Sequence, residues 1–225
     1  MFLDISGDVL SLHVWVSPIH ISDGILSPQV WIAGYAITVG LLAWTLSRTK
    51  LEEIPKLSVI TAAVFVASLI HLPAGPTSVH FILAGLAGIT LGLAAFPAVF
   101  IALVLQAFLF QHGGITTIGI NAVNIGVPAL AAYGLFRLGT RTNIRRKYGI
   151  FGGLSGAVAI ILGVALLSLC LFTTGEYLQD VIPFVIVAHL PIIAIEGVVT
   201  GAFAEFMFRV RPQMLAGYKI GEVTQ

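Results

Sequence analysis

Charged side chains are scarce here: they form 9% of 225 residues, against about 25% in an ordinary soluble domain. With 58% hydrophobic residues and a mean hydropathy of +1.03, that scarcity excludes a water-soluble globular protein. A single cysteine excludes a disulfide scaffold, and 24 glycines with 10 prolines are too few for a collagen or a disordered chain. Cys170 lies in the apolar run 166–172 and reads as packing rather than redox chemistry. The net charge is +1 and no basic stretch is interleaved with aromatics, so nucleic acid is excluded as a partner. No Gly-x-x-x-x-Gly-Lys-Ser/Thr loop occurs, and no polar stretch is long enough to fold alone. What remains is a polytopic, all-α membrane protein that draws any energy for uphill transport from another chain.

A spanning helix needs about 20 mostly apolar residues. Apolar stretches occur at 28–46, 57–72, 80–96, 97–110, 121–138, 148–172 and 181–210, which predicts about seven transmembrane helices. The third and fourth are divided by a tight turn expected near Phe96-Pro97. Charge gives the orientation. Arg48, Lys50 and Lys56 lie between the first and second spans. Arg137, Arg141, Arg145, Arg146 and Lys147 lie between the fifth and sixth, and Arg209, Arg211 and Lys219 follow the last. With seven spans all 11 basic residues share one side, which the positive-inside rule makes cytoplasmic; six spans would scatter them. The N-terminus is then outside and the C-terminus inside. The outer side receives His13, His20, Asp23, His71, His80, His112, Glu176 and Asp180, a surface that attracts cations.

Four polar segments interrupt the apolar pattern. In Ile19-His20-Ile21-Ser22-Asp23-Gly24-Ile25-Leu26-Ser27-Pro28, Asp-Gly and Ser-Pro make turns, with Ser27 as N-cap and Pro28 at the first helical position. In His71-Leu72-Pro73-Ala74-Gly75-Pro76-Thr77-Ser78-Val79-His80, two histidines bracket a helix break. Imidazole is a common ligand for late divalent metals, and Thr77 or Ser78 can cap the next helix or hold an imidazole. Gln111-His112-Gly113-Gly114-Ile115-Thr116-Thr117 reads as a non-helical loop dipping into the protein, followed by Asn121 and Asn124 on one helix face, suited to interhelical hydrogen bonds. His189 and Glu196 share a face of the last span, two turns apart, and intramembrane ionisable groups of this kind point to function or to a buried structural pair. Small-residue spacings at Gly88/Gly92, Gly149/Gly153, Gly152/Gly156 and Gly197/Gly201 permit close helix packing.

Taken together, these segments over roughly residues 19–212 resemble the CbiM/NikM family, the substrate-binding (S) components of energy-coupling factor importers of cobalt or nickel. The His-x-x-(Asp/Glu)-Gly-x-Leu-Ser-Pro opening is matched from His20 to Pro28, Thr-Ser-x-His by Thr77 to His80, and the Gly113–Asn124 and His189–Gly197 segments are also similar. The resemblance implies that Co²⁺ or Ni²⁺ is bound by the free amine of residue 19, the amide nitrogen and imidazole of His20, and His80, with His71 in reserve. It makes Asp23, Thr77, Ser78, Asn121, Asn124, His189 and Glu196 supporting or structural positions. Amine, amide and imidazole form fused chelate rings, and a fourth nitrogen completes a plane that suits Ni²⁺ and accepts Co²⁺. The resemblance further implies no resident cofactor, no enzymatic activity, and residence in a bacterial or archaeal plasma membrane. Partners would be a transmembrane coupling (T) protein, cytoplasmic ATPase subunits, a small accessory membrane subunit and lipid.

Residue 19 is Ile where the family has Met, and residues 1–18 carry Asp4 and Asp8 without the basic start of a signal peptide. Residues 1–18 are therefore read as a non-family extension, 19–212 as the transmembrane metal-binding unit, and 213–225 as a cytoplasmic tail. Two other readings compete. Gly153-Leu154-Ser155-Gly156 resembles the rhomboid protease nucleophile with His189 as base, although depth along the spans separates the two by roughly 10 Å. The other is a non-transporting membrane scaffold. If the ligand set is right, the working protein begins at residue 19, because only an α-amine closes the first chelate ring with the His20 amide. N-terminal sequencing of membrane-purified protein should give His as its second residue; Met1 retained in a tightly metal-binding protein would rule out the amine ligand.

Overall fold

The computed structural model describes residues 20–74 and 77–218. Helix α1 (Pro28–Leu46) begins where expected, with Ser27 extended at the N-cap and Pro28 in the first turn, although the Ser27 hydroxyl makes no capping bond. Helix α2 (Ile54–Ala67) follows a short 3₁₀ turn. The break after it is an antiparallel hairpin, β1 (His71–Ala74) and β2 (Thr77–His80), in a chain otherwise helical. Helix α2 has already ended at Ala67, and Pro73 sits in the extended strand β1, a conformation its ring favours. Helices α3 (Ala84–Leu91), α4 (Ala95–Phe110), α5 (Ile118–Gly139), α6 (Lys147–Thr174), the single turn α7 (Glu176–Gln179) and α8 (Ile182–Val210) complete the order.

Among the described residues, five helical runs are long and apolar enough to cross a membrane: Pro28–Leu46, Ala84–Phe110, Ile118–Gly139, Lys147–Thr174 and Ile182–Val210. This differs from the seven expected spans in two places. Helix α2 has 14 residues, short of the length needed to cross upright. The run Ala84–Phe110 is not one rod. Gly88 packs on Ala129 and Gly92 on Tyr133, so α3 runs parallel to α5; Phe96 then packs on Gly126, so α4 runs back. The reversal falls at the 3₁₀ turn Gly92–Ala94, not at the expected Phe96-Pro97. Gly92 has φ 62°, a left-handed conformation that glycine adopts without steric cost. Phe96 and Pro97 instead sit in the first turn of α4, where proline's missing N–H costs no hydrogen bond.

Small residues control how closely the helices meet. Helices α6 and α8 are antiparallel, with Gly149 and Gly153 against Gly201, Gly153 also against Gly197, and Gly156 against Glu196. Gly85 lies on Gly156 and Gly88 on Ala129, so α3 wedges between α5 and α6. The four glycine pairs therefore serve contacts within this chain. Pro128 frees the Asn124 carbonyl inside α5, and Gly163 of α6 approaches that oxygen. Helix α5 is the most enclosed of the five runs, while α1 and α8 are the least. Exposed apolar side chains such as Val39, Phe108, Leu169, Phe184 and Val198 cover the outside. That surface is compatible with lipid and not with water. The antiparallel pairs also bring Arg137, Lys147 and Arg209 to one end, since Gly139 meets Phe151 and Gly149 meets Glu205. At that end Arg209 pairs with Glu205 at 2.7 Å, the expected i, i+4 ion pair.

A Cβ at Gly156 would lie 2.6 Å from the Glu196 carbonyl oxygen, with backbone on both sides and nowhere to move. Gly156→Val should destabilise the protein by about 1–3 kcal/mol, as overpacking does. Gly134→Ala meets nothing within 4 Å and should leave stability unchanged or slightly raised. Thermal unfolding of the two variants in detergent measures the contrast.

Candidate metal centre

Two non-helical segments meet at the end of the helices opposite the basic cluster. The first starts at His20 and is held by side chains from the loop before α5 and from α5 itself. Asn121 grips the Ile21 peptide from both sides: its Oδ1 accepts from the Ile21 N–H at 2.9 Å, and its Nδ2 donates to the Ile21 carbonyl at 3.0 Å. Thr117 donates to the same carbonyl at 2.6 Å. Two residues on, the Asp23 carboxylate accepts from the N–H groups of Ile115 (3.0 Å) and Thr116 (2.9 Å) and from the Thr116 hydroxyl. Gly114 permits this approach, because a Cβ there would lie 2.1 Å from Asp23 Oδ1. The backbone of this segment is thus fixed, with His20 2% exposed and Ile21 1% exposed.

The second segment carries His80 at the end of β2. Its Nδ1 lies 3.0 Å from the Phe81 carbonyl, and donation there makes Nε2 the lone-pair nitrogen of the ring. The next two N–H groups, of Ile82 and Leu83, both donate to Glu196 Oε1, at 2.6 and 2.7 Å. Leu83 has φ 51°, so the chain turns sharply into α3 with its amides on a carboxylate from α8. Glu196 is fully buried and holds the two amides immediately ahead of α3. A carboxylate on these amides is stronger than a neutral acceptor and sets where His80 stands.

The two clamps bring the histidines together. The His20 and His80 rings stack with centroids 4.7 Å apart and planes 14° from parallel, and His80 is 1% exposed. Both line a small cavity whose other polar walls are Ser68 and Gln106. Of the remaining predicted positions, Asn124 faces α6, where its Oδ1 lies 3.7 Å from Cys170 Sγ. His189 is buried with Nδ1 donating to the Val185 carbonyl at 2.6 Å. It lies two turns from Glu196, and neither side chain hydrogen-bonds the other, so the two do not form a pair. Residue 19, His13 and residues 1–18 lie outside the described residues, as do the side chains of His71, Thr77 and Ser78 and the tail from 219. The hairpin register does set the His71 backbone opposite His80. Among the described residues no group of three His, Cys, Asp or Glu side chains converges. Ser155 does not meet His189: its hydroxyl donates to the Ala132 carbonyl at 3.0 Å, and Gly156 beside it is level with Glu196.

This arrangement, a lipid-facing helical bundle with two buried imidazoles at one end, is that of a membrane protein of metal transport. The chain belongs to the CbiM family, described as the cobalt uptake substrate-specific transmembrane region, whose profile matches residues 20–214. A Haemophilus influenzae protein named for metal transport is 33% identical over 199 residues, covering 88% of this chain and 97% of the relative. The fused nickel transport protein NikMN of Rhodobacter capsulatus is 30% identical over 88% of this chain, which spans 64% of that longer protein. A crystal structure of a truncated transition metal transporter superposes with TM-score 0.70 at 26% identity, covering 85% of this chain and 99% of that one. These relatives are transport proteins, not enzymes, and the chain is an integral membrane protein of cobalt or nickel uptake.

Thr116, Thr117, Ser68 and Gln106 were not singled out from the sequence. The one available signal was Gln106, a lone polar residue in the apolar run 97–110. Asn121→Ala leaves the buried Ile21 N–H without its acceptor, a cost of about 1–3 kcal/mol, while the Ile21 carbonyl keeps the Thr117 hydroxyl. Its expected signature is metal affinity lowered at least tenfold in a protein that still purifies folded, read by equilibrium binding with circular dichroism as the control.

Proposed function

We propose that this protein is the substrate-binding subunit of an energy-coupling factor importer, and that it captures Co²⁺ or Ni²⁺ at His20 and His80 from the outer side of the membrane. The observation that carries this reading is the stacking of two buried imidazoles, each held by a different backbone clamp. Two imidazoles are an incomplete set for either ion. The amine of residue 19 and the amide nitrogen of His20 supply the rest, giving four nitrogens around the ion, and His71 is the reserve donor. An ion so held exchanges most of its water for nitrogen donors, and no Lys or Arg lines the cavity to repel it.

The reading extends to topology. In this reading α2 is the second of seven crossings, and the extended segment 80–83 together with α3 makes the third. The basic ends of α5, α6 and α8 then face the cytoplasm under the positive-inside rule. With no nucleotide-binding loop in the sequence, accumulation against a gradient draws on a transmembrane coupling protein and ATPase subunits. The fused architecture of the Rhodobacter capsulatus relative supports association with other transport components, since 36% of that protein lies beyond the part this chain spans, from the 64% that it covers.

His80→Ala should abolish high-affinity binding of both ions by the purified protein, while His112→Ala, half-buried beside Phe110, should have a much smaller effect. Equal affinity in wild-type and His80→Ala protein would remove the site. In whole cells, uphill accumulation of radiolabelled Ni²⁺ or Co²⁺ should require the partner ATPase genes; accumulation by this chain alone would remove the subunit reading.

A further inference from the structure

Gln106 is the single polar side chain of α4 and is 2% exposed. Its orientation follows from its neighbour. Ser68 Oγ donates its one proton to the Phe65 carbonyl at 2.6 Å, so it can only accept from Gln106, whose Nε2 lies 2.5 Å away. The NH₂ end of the amide is thereby committed to α2, and Oε1 is left on the other side. That oxygen is buried and has no hydrogen-bond partner among the described residues. Gln106 and Ser68 line the cavity that His20 and His80 also line, while Val64, Val99, Ala102 and Leu103 make apolar walls. The cavity measures about 10 Å³, room for one water. A buried acceptor turned away from Ser68, in a wall shared with two imidazoles, needs a donor that the described residues do not supply.

We propose that Gln106 is a selectivity residue: its Oε1 accepts a hydrogen bond from a water bound axially to the divalent ion held at His20 and His80. The proposal rests on the metal-centre reading above. A metal-bound water is a stronger donor than bulk water, because the cation withdraws charge from its O–H bonds. A nitrogen plane alone suits Ni²⁺ in its square-planar form, which takes no axial ligand. Co²⁺ gains from a fifth, oxygen ligand. An acceptor that anchors axial water therefore shifts the balance toward Co²⁺, and Ser68 keeps the acceptor in place.

The test uses the full chain in lipid nanodiscs. Co²⁺ and Ni²⁺ affinities and the visible spectrum of bound Co²⁺ are compared for wild-type, Gln106→Leu, Ser68→Ala and His80→Ala protein. Gln106→Leu should weaken Co²⁺ binding by about tenfold, the size of one charge-assisted hydrogen bond, and leave Ni²⁺ within about threefold. Its Co²⁺ ligand-field bands should move toward those of a four-coordinate ion. Ser68→Ala should shift the same ratio in the same direction by less. Equal losses for both ions would mean that Gln106 only supports the fold, and unchanged affinities would mean that it does not reach the ion; either overturns the proposal while His80→Ala still loses both ions. Unchanged binding in His80→Ala would overturn the metal centre itself. If Gln106→Leu does not fold, Gln106→Met, of similar length and without the amide, gives the same readout.

Discussion

Non-helical backbone inside a lipid-facing protein must find its hydrogen-bond partners within the protein, because no water is there to supply them. The segments 20–27, 80–83 and 111–117 all leave the helical ladder, and each is met by a side chain placed for it. Asn121 and Thr117 take the Ile21 peptide, Asp23 takes the amides of Ile115 and Thr116, and Glu196 takes those of Ile82 and Leu83. The polar residues buried among these helices are thus largely devoted to backbone. That devotion makes the end of the bundle rigid enough to hold two imidazoles at a set separation.

The clamps depend in turn on helix packing. Glu196 reaches α3 only because α8 lies against α6 at glycine distance, and α3 lies against the same stretch of α6 through Gly85 and Gly156. Lipid gives no hydrophobic drive for helices to associate, so contact area and small residues carry the packing. A methyl group at Gly156 would push α8 outward and move the carboxylate from the His80 segment. Stability and ligand geometry are therefore coupled through one helix crossing.

The chemistry of the centre is that of capture, not catalysis. Ser155, the one serine in a nucleophile-like setting, spends its proton on a helix carbonyl. His189 donates to its own helix. What the bundle presents at the end opposite its basic cluster is nitrogen donors in a largely apolar surround, beside a carboxamide whose oxygen is unspent. Soft and borderline divalent ions bind such donors, and hard ions such as Mg²⁺ do not.

Residue types and their order determined a great deal. Scarcity of charge placed the chain in a membrane, the polar segments located His20, Asp23, His80, Asn121 and Glu196, and proline and glycine marked where helices stop. These are local properties, legible because burial and backbone geometry act on each residue where it stands. Tertiary structure decided the rest. The sequence indicates a reversal within this apolar run but not its exact place, since both halves are equally apolar; the neighbours of Gly88, Gly92 and Phe96 put it at Gly92–Ala94, ahead of Phe96-Pro97. Nor can spacing show that Glu196 serves amides more than a hundred residues away while His189, on the same helix face, does not. Gln106 became notable only when α2 and α4 set it beside Ser68 and the histidines, because a side chain's hydrogen-bond partners are chosen by packing and not by sequence distance.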